Sequence, residues 1–184
     1  MRVLISGASG LVGSALLPAL AAEGHEVGQL VRAQPALPSK AHVRWDPARG
    51  ALDVPALAGY DGVIHLAGEP IVGRWTPEKK QRIRESRTLG TRLLAEALAK
   101  LASPPKVLVS ASAIGYYGHR GEELLTERSA GGRDFLAEVC REWEAAAAPA
   151  SAKGIRVVQL RLGIVLSSRG GVLQAMLPPF RLGL

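Results

Sequence analysis

The architecture of this chain can be inferred from residues 7–13, which read Gly-Ala-Ser-Gly-Leu-Val-Gly. An apolar, strand-like run (RVLIS, residues 2–6) precedes this glycine-rich heptad, and a helical pattern follows it over residues 11–23. Glycine adopts backbone angles that other residues avoid and lets a ligand approach the main chain. The amides at the start of a helix favour a negatively charged group. A G-x-x-G-x-x-G spacing between a strand and a helix therefore predicts a turn that holds the diphosphate of a dinucleotide.

Strand-like and helix-like segments alternate along the rest of the chain, which is typical of a parallel sheet with crossover helices. Together with the heptad, this alternation predicts an α/β fold, a doubly wound parallel-sheet Rossmann fold with strand order 3-2-1-4-5-6. Pro18 is expected to kink or weaken the first helix. The expected strands are residues 2–6, 26–31, 42–45, 61–67, 106–112 and 155–166, the helices are 11–23, 77–101 and 133–148, and the loops are 33–41 and 113–132.

The composition is that of an ordinary globular domain. The chain has 184 residues, of which 47% are hydrophobic and 21% charged, enough for one compact core. No apolar run approaches the roughly 20 residues that a membrane-spanning helix needs, and the start, MRVLISG, lacks the features of a signal peptide. Cys140 is the single cysteine, which excludes an internal disulfide and fits a reducing compartment. We therefore expect a cytoplasmic protein that does not bind a membrane.

The net charge of +7 raises the question of nucleic-acid binding. The basic residues are scattered, apart from a group on the long predicted helix that is interrupted by Glu78 and Glu85. A solvated or phosphate-facing helix surface explains this group better than a nucleic-acid site does. The four histidines show no metal-ligand spacing, so we expect neither nucleic acid nor a metal. The basic residues of the helix are Lys79, Lys80, Arg82, Arg84 and Arg87.

The choice of cofactor is read at the end of the second strand. Sites for NAD usually place an acidic side chain there, on the ribose 2′-hydroxyl. This chain has Arg32 at that point and no Asp or Glu between Val27 and Lys40. A guanidinium binds a 2′-phosphate through charge-assisted hydrogen bonds, although a surface arginine that ends a strand is the plainer alternative. NADP(H) is the expected cofactor.

Residues 170–184 (GGVLQAMLPPFRLGL) are apolar and include no polar closing segment. Leu173, Met176, Leu177 and Phe180 would need a surface to pack against, so we expect either a longer protein or a partner that covers them. On this interpretation residues 1–184 form an NADP(H)-binding Rossmann domain. Residues 167–184 begin a C-terminal substrate-side region, most of which the chain lacks.

Nine motifs are spread along nearly the whole chain: GASGLVG (7–13), WDP (45–47), HLAGEPI (65–71), RW (74–75), SR (86–87), SASAIGYYG (110–118), DFLAEVCREWE (134–144), RLGIVL (161–166) and LPPFRLGL (177–184). Together they resemble the extended short-chain dehydrogenase/reductase superfamily. More narrowly, they are similar to its atypical, epimerase-like branch, the nucleoside-diphosphate-sugar epimerase or SulA-like proteins. Members of this branch continue into a small substrate-side domain.

The resemblance implies roles for individual residues along the cofactor. The diphosphate would contact Gly7, Ser9, Gly10, Leu11 and Val12, and the 2′-phosphate would contact Arg32. Leu66 and Ala67 would flank the adenosine half, while Arg82 and Arg87 would bind the cofactor or an acidic substrate. Ser110 and Ser112 would lie near the nicotinamide, with residues 163–165, including Val165, on its far side. Leu66, Ala67 and Val165 would equally suit the core of central strands.

The chain departs from the superfamily at its catalytic pair. Working enzymes carry Tyr-x-x-x-Lys on the helix after the fifth strand, where the lysine lowers the pKa of the tyrosine for proton transfer. Here the aligned positions are Phe135 and Val139, or, shifted by one, Leu136 and Cys140. None of these side chains can replace the pair, and a buried helix cysteine is usually inert. The remaining candidates are Ser112 and Tyr116, together with Tyr117, Arg120 and Glu138.

Two functions follow from these features. The first is an NADP(H)-dependent oxidoreductase or epimerase-like enzyme with a rearranged acid–base group. Its substrate is unidentified, and Arg82 and Arg87 favour an anionic small molecule. The second is a non-catalytic NADPH-binding or sensing module that acts through a protein partner, as the missing Tyr–Lys pair suggests. Nucleic-acid binding ranks last, and the sequence predicts no oligomeric state.

Overall fold

The structure, a computed structural model, describes residues 1–32 and 41–183. Of the expected loop at residues 33–41, all but Ala41 lies outside the described residues. The strands are β1 (Arg2–Ser6), β2 (Glu26–Val31), β3 (His42–Asp46), β4 (Ala51–Leu52), β5 (Gly62–His65), β6 (Val107–Ala113) and β7 (Arg156–Leu162). The α-helices are α1 (Leu11–Ala22), α2 (Pro77–Ala99), α3 (Phe135–Ala145), α4 (Ala148–Ala152) and α5 (Gly171–Arg181).

Within the described residues, seven strands form one sheet in the order β4-β3-β2-β1-β5-β6-β7. Neighbouring strands are parallel, except that β4 pairs antiparallel with β3. This confirms the predicted Rossmann order 3-2-1-4-5-6, with β4 as an additional edge strand. The prediction missed β4 because two residues carry no alternation; Gly50, in the left-handed region at φ 64°, turns the chain back onto β3.

Both faces of the sheet are covered, and alternate residues of each strand point to opposite faces. On one face Leu4, Val63 and Leu108 pack with Leu94 and Leu98 of α2. On the other, Val3 and Ile5 pack with Leu16, Leu17 and Leu20 of α1. None of the helices in the described ranges combines the length and the apolar character that crossing a bilayer requires.

Several boundaries differ from the expected ones. The strand expected at 61–67 ends at His65: the Leu66 amide still reaches the Ser6 carbonyl of β1, but the Ala67 amide donates to the Ser6 side chain instead of a neighbouring strand. The helix expected at 133–148 ends at Ala145, and a second helix, α4, begins at Ala148 with Pro149 in its first turn, where a missing amide proton is tolerated. The strand expected at 155–166 ends at Leu162. The helix expected at 77–101 ends at Ala99, and α1 runs unbroken through Pro18.

The expected loop at 113–132 contains a 3₁₀ turn, Ile114–Tyr117. The apolar stretch near the end of the chain forms α5, which buries none of its side chains. Met176 and Phe180 are exposed, and Leu173 and Leu177 are half-buried.

Candidate functional site

A cavity of about 730 Å³ opens at the carboxyl ends of β1, β2 and β5. Its volume lies within the range of roughly 300–1,000 Å³ typical of cofactor sites, and its position is where parallel α/β sheets bind ligands. Its walls are the glycine turn, the end of β2, the end of β3 with the turn that follows it (residues 45–48), residues 66–70 after β5, and one side of α2. Seven of the predicted cofactor residues line it: Gly7, Ser9, Gly10, Arg32, Leu66, Ala67 and Arg82.

The other predicted residues lie elsewhere in the part of the chain that the structure describes. Leu11 is the first residue of α1, and its side chain is close to Gly170 and Gly171. Val12 is half-buried on the same helix. Ser110 is fully buried in β6, whereas Val165 is exposed beyond β7. The structure therefore brings together the adenosine and diphosphate parts of the predicted site.

The glycine turn has the geometry that a diphosphate needs. Gly7 lies in the left-handed region at φ 72°, and a Cβ there would stand 2.8 Å from the amide of Ala67. A Cβ on Gly13 would overlap the carbonyl oxygen of Gly7 and stand 2.8 Å from the Cα of Ala8. Gly10 caps α1 without a side-chain acceptor for the helix amides. The first turn of α1 is thus open to an anionic ligand, and the residues present fit a dinucleotide.

Charges of both signs surround this cavity. Arg32 is exposed at the end of β2, and Arg82 faces the cavity from α2. The Arg82 guanidinium lies 3.7 Å from the Glu69 carboxylate, which also accepts a hydrogen bond from Lys79 at 2.8 Å. The Lys79 hydrogen bond and the charge of Arg82 lower the pKa of Glu69. Glu69 is therefore ionised at neutral pH and neutralises part of the positive charge of Arg82.

Arg87 supports the loop that lines the cavity. Its guanidinium donates hydrogen bonds to the backbone carbonyls of Glu69 (3.0 Å) and Ile83 (3.1 Å). It also lies 5.1 Å from the centre of the Trp143 ring. Burial lowers the pKa of Arg87 below its ordinary value. The structure thus places the Arg87 guanidinium against the Gly68–Glu69 backbone, with Nη1 hydrogen-bonded to both carbonyls.

Three buried polar side chains, hydrogen-bonded in series, lie beneath the cavity wall formed by residues 66–70. The Ser6 hydroxyl lies 2.6 Å from His65 Nδ1, and His65 Nε2 lies 3.0 Å from the Thr91 hydroxyl. Ser6 also accepts hydrogen bonds from the amides of Leu66 (3.1 Å) and Ala67 (3.3 Å). Sequence reasoning missed Ser6 and Thr91, because these contacts join residues 59 and 26 positions apart. The only signal was the presence of His65 in the HLAGEPI motif.

The burial of His65 predicts a pH dependence of stability. Burial lowers the pKa of this histidine to about 4, against an ordinary value of about 6.5. The unfolded chain binds a proton as the pH falls through about 6.5, and the folded chain does so only near 4. The free energy of unfolding should therefore fall between these pH values, by up to about 3 kcal/mol. Urea unfolding of wild type and His65→Gln across this range checks the effect; equal pH slopes for the two proteins would contradict it.

A second polar cluster lies at the carboxyl ends of β6 and β7. Ser112 donates a hydrogen bond of 2.7 Å to Glu144, and Arg161 binds both oxygens of that carboxylate at 2.8 and 2.9 Å. The Arg161 guanidinium also stacks 3.5 Å from the centre of the Tyr116 ring and donates to the Tyr117 hydroxyl. Burial alone would raise the pKa of Glu144, but the hydrogen bonds from Arg161 and Ser112 lower it.

Ser112 and Tyr116 are therefore held by one partly buried ion pair, and neither lines the 730 Å³ cavity within the described ranges. Sequence reasoning did not single out Glu144 or Arg161, although both lie in quoted motifs. Their pairing across 17 positions leaves no local pattern. Arg120, another candidate, forms an ion pair with Glu123.

Helix α3 contains neither tyrosine nor lysine. Val139 is buried, and Phe135 packs edge-on against Trp75 with ring centres 5.7 Å apart. Glu138 forms a surface ion pair with Arg84 at 3.3 Å. Cys140 is buried, and burial raises the pKa of its thiol, as expected of an unreactive cysteine.

Comparison with known proteins shows the family. The profile of the NAD dependent epimerase/dehydratase family matches residues 3–181. An epimerase family protein of Mycobacterium bovis is 43% identical over 183 residues, which are 99% of this chain and 60% of that protein. The human epimerase family protein SDR39U1 is 37% identical over 188 residues, covering 61% of its length. This chain thus spans about 60% of the length of these relatives.

Two solved structures share the architecture. Human SDR39U1, crystallised with NADPH, matches all of this chain and 61% of its own with a TM-score of 0.86. A nucleoside-diphosphate sugar epimerase from Corynebacterium glutamicum is 46% identical, with a TM-score of 0.84 over 98% of this chain and 37% of its own. The resemblance inferred from the motifs is confirmed: the chain belongs to the NAD dependent epimerase/dehydratase family.

Proposed function

We propose that this protein binds NADP(H) and is an epimerase- or oxidoreductase-like enzyme acting on an anionic small molecule. One observation carries the proposal: Arg32 lines the same cavity as the glycine turn. A dinucleotide whose diphosphate lies at residues 7–13 extends its adenosine ribose toward the end of β2. Arg32 is the cation at that point, so the extra phosphate of NADP(H) finds a partner there.

The proposed contacts follow the walls of the cavity. Gly7, Ser9, Gly10, Leu11 and Val12 would hold the diphosphate, Leu66 and Ala67 would flank the adenosine half, and Arg32 would bind the 2′-phosphate. Arg82 would exchange Glu69 for a phosphate or for an acidic group of the substrate. This assignment is supported by the long Arg82–Glu69 separation of 3.7 Å and by the exposure of the Arg82 side chain. Arg87 would act through the loop that it supports.

The reaction would take place at the carboxyl end of β6, next to Ser110 and to residues 163–165. A bound nicotinamide supplies hydride transfer. The chain must then supply proton transfer without Tyr-x-x-x-Lys, and Ser112 and Tyr116 are the candidates. The Glu144–Arg161 ion pair favours these two, because Glu144 accepts from Ser112 while the Arg161 guanidinium stacks on Tyr116, which holds both side chains in one arrangement.

The proposed substrate class rests on the positive charges at the cavity and on the description of a similar protein. Arg32 and Arg82 line the cavity, and Lys79 lies beside it on α2. The similar protein from Corynebacterium glutamicum is described as a nucleoside-diphosphate sugar epimerase, a class whose substrates are anionic. We propose a phosphorylated or otherwise anionic small molecule, and a protein that works in the cytoplasm.

Calorimetry of the purified chain with NADPH and NADH tests the cofactor. We expect NADPH to bind at least about tenfold more tightly, because one charge-assisted hydrogen bond is worth about 1.5–3 kcal/mol. If neither NADPH nor NADH gives a heat of binding, the proposal is overturned. A screen of anionic metabolites, followed by nicotinamide absorbance, then tests turnover.

The second candidate is a sensing module that holds NADPH without turning it over. The observation that favours it is α3, where Phe135 and Val139 replace a proton-transferring pair with apolar side chains. It predicts tight NADPH binding, unchanged absorbance across the screen, and a protein partner retained on an affinity column only when NADPH is present. Retention of the same partner without NADPH would count against it.

A further inference from the structure

Three buried polar side chains from separate elements meet behind the cofactor cavity. Ser6 ends β1, His65 ends β5, and Thr91 lies in the middle of α2; each has no measurable exposure to solvent. Buried polar groups are retained in a core when their hydrogen bonds are satisfied. The contacts of these three side chains show what they hold in place.

The donors and acceptors among these three side chains can be assigned. Ser6 Oγ accepts from the amides of Leu66 and Ala67, so its own proton is directed at His65 Nδ1. A neutral imidazole that accepts at Nδ1 carries its hydrogen on Nε2. His65 Nε2 therefore donates to the Thr91 hydroxyl, 3.0 Å away. The imidazole is thus anchored at α2 and orients the Ser6 hydroxyl.

The hydrogen-bonded side chains of Ser6, His65 and Thr91 set the position of one wall of the cavity. Beyond His65 the Leu66 amide is shared between the backbone carbonyl of Ser6 (3.2 Å) and the Ser6 hydroxyl, and the Ala67 amide donates to the hydroxyl. The same two residues line the cavity and pack against Gly7, where an added Cβ would stand 2.8 Å from the Leu66 carbonyl carbon. A small displacement of this wall would therefore narrow the space over the glycine turn.

The imidazole also supports a second wall. Its ring packs edge-on against Trp45, with ring centres 5.7 Å apart and planes at 82°. Trp45 lines the cavity across from the glycine turn. His65 therefore contacts one wall directly and the other through Ser6.

We propose that Ser6, His65 and Thr91 are positioning residues of the cofactor site, which hold the Leu66–Ala67 backbone at the distance from Gly7 that a dinucleotide requires. The inference rests on the proposed function, since it concerns the same cavity. It adds three residues that touch no ligand themselves. Because the wall they hold faces parts common to both dinucleotides, they should act equally on NADPH and NADH.

The test compares Thr91→Val, which keeps the β-branched shape and loses the hydroxyl, with Thr91→Ser, which keeps the hydroxyl. Thr91→Val should weaken NADPH and NADH binding by the same factor, about three- to tenfold, because the imidazole loses its anchor. Thr91→Ser should bind both like wild type. Ser6→Ala removes the hydroxyl that accepts from the Ala67 amide and should weaken the binding of both nucleotides by about tenfold or more, although the Leu66 amide keeps the Ser6 carbonyl.

Thr88→Val is the matched control. Its hydroxyl binds the carbonyl of Arg84 on the same helix and takes no part in the chain beneath the cavity. Calorimetry well below the unfolding midpoint separates a change in affinity from a loss of stability. Affinity that is equal in wild type, Thr91→Val and Thr91→Ser would overturn the inference while leaving the proposed function intact. If wild type binds neither nucleotide, the proposed function itself fails.

Discussion

Arg32→Glu is expected to weaken NADPH binding by about 100-fold while leaving NADH binding unchanged or slightly stronger. The wild-type guanidinium lies at the end of β2 on the wall of the cavity. Its loss removes a charge-assisted pair with the 2′-phosphate, and the new carboxylate repels that phosphate. The same carboxylate stands where NAD sites hold the ribose 2′-hydroxyl. Titration calorimetry with each nucleotide measures both affinities.

Arg44→Glu is the matched control for this substitution. Arg44 lies on the neighbouring strand β3 and is exposed to solvent, and it is not one of the residues that line the cavity. The change in net charge is identical, so a general electrostatic effect on an anionic ligand would appear in both variants. Equal losses for NADPH and NADH in Arg32→Glu would show that the 2′-phosphate is not bound at this residue.

Gly13→Ala is expected to abolish measurable binding of both nucleotides and to lower the free energy of unfolding by about 1–3 kcal/mol. The added methyl group would overlap the carbonyl oxygen of Gly7 and crowd Ala8. Both contacts are backbone, so the turn rather than a flexible side chain must move. Because the proposed diphosphate site consists of that backbone, the site should be lost. Calorimetry and urea unfolding report the two effects.

Gly90→Ala makes the same chemical change in α2 and serves as the control. There the new Cβ would lie 3.7 Å from Trp45 and Pro47, which is ordinary van der Waals contact. Alanine is favoured over glycine within a helix by about 0.5–1 kcal/mol. Gly90→Ala should therefore be neutral or stabilising and should bind NADPH like wild type. Undiminished binding in Gly13→Ala would contradict the proposed cradle.

Local pattern accounts for the parts of this protein that were predicted correctly. The heptad at 7–13 is contiguous, and its glycines act through the backbone, so the turn and the open start of α1 follow from sequence alone. The strand order follows equally, because right-handed crossovers leave few arrangements for an alternating chain. The position of Arg32 directly after β2 was predicted because the strand pattern of residues 26–31 ends there.

Contacts between distant elements account for what was missed. The end of β5 at His65 depends on Ser6, and the imidazole depends on Thr91, so neither residue shows a local signal. Arg87 was predicted to contact the cofactor or an acidic substrate; its hydrogen bond to the Glu69 carbonyl, which no local pattern indicates, forms only when α2 packs against the loop after β5. Ser112 was assigned by motif, and its engagement by Glu144 and Arg161 appears only when α3 and β7 meet.

For this protein, residue spacing was enough to predict a glycine turn between a strand and a helix, a parallel sheet and a cation at the end of β2, because each depends on neighbours along the chain. Which side chains face the cavity, and which are held by partners behind it, emerged only from the folded molecule. The physical reason is that hydrogen bonds and ion pairs act over a few ångströms in space, and the residues that make them here lie tens of positions apart in sequence.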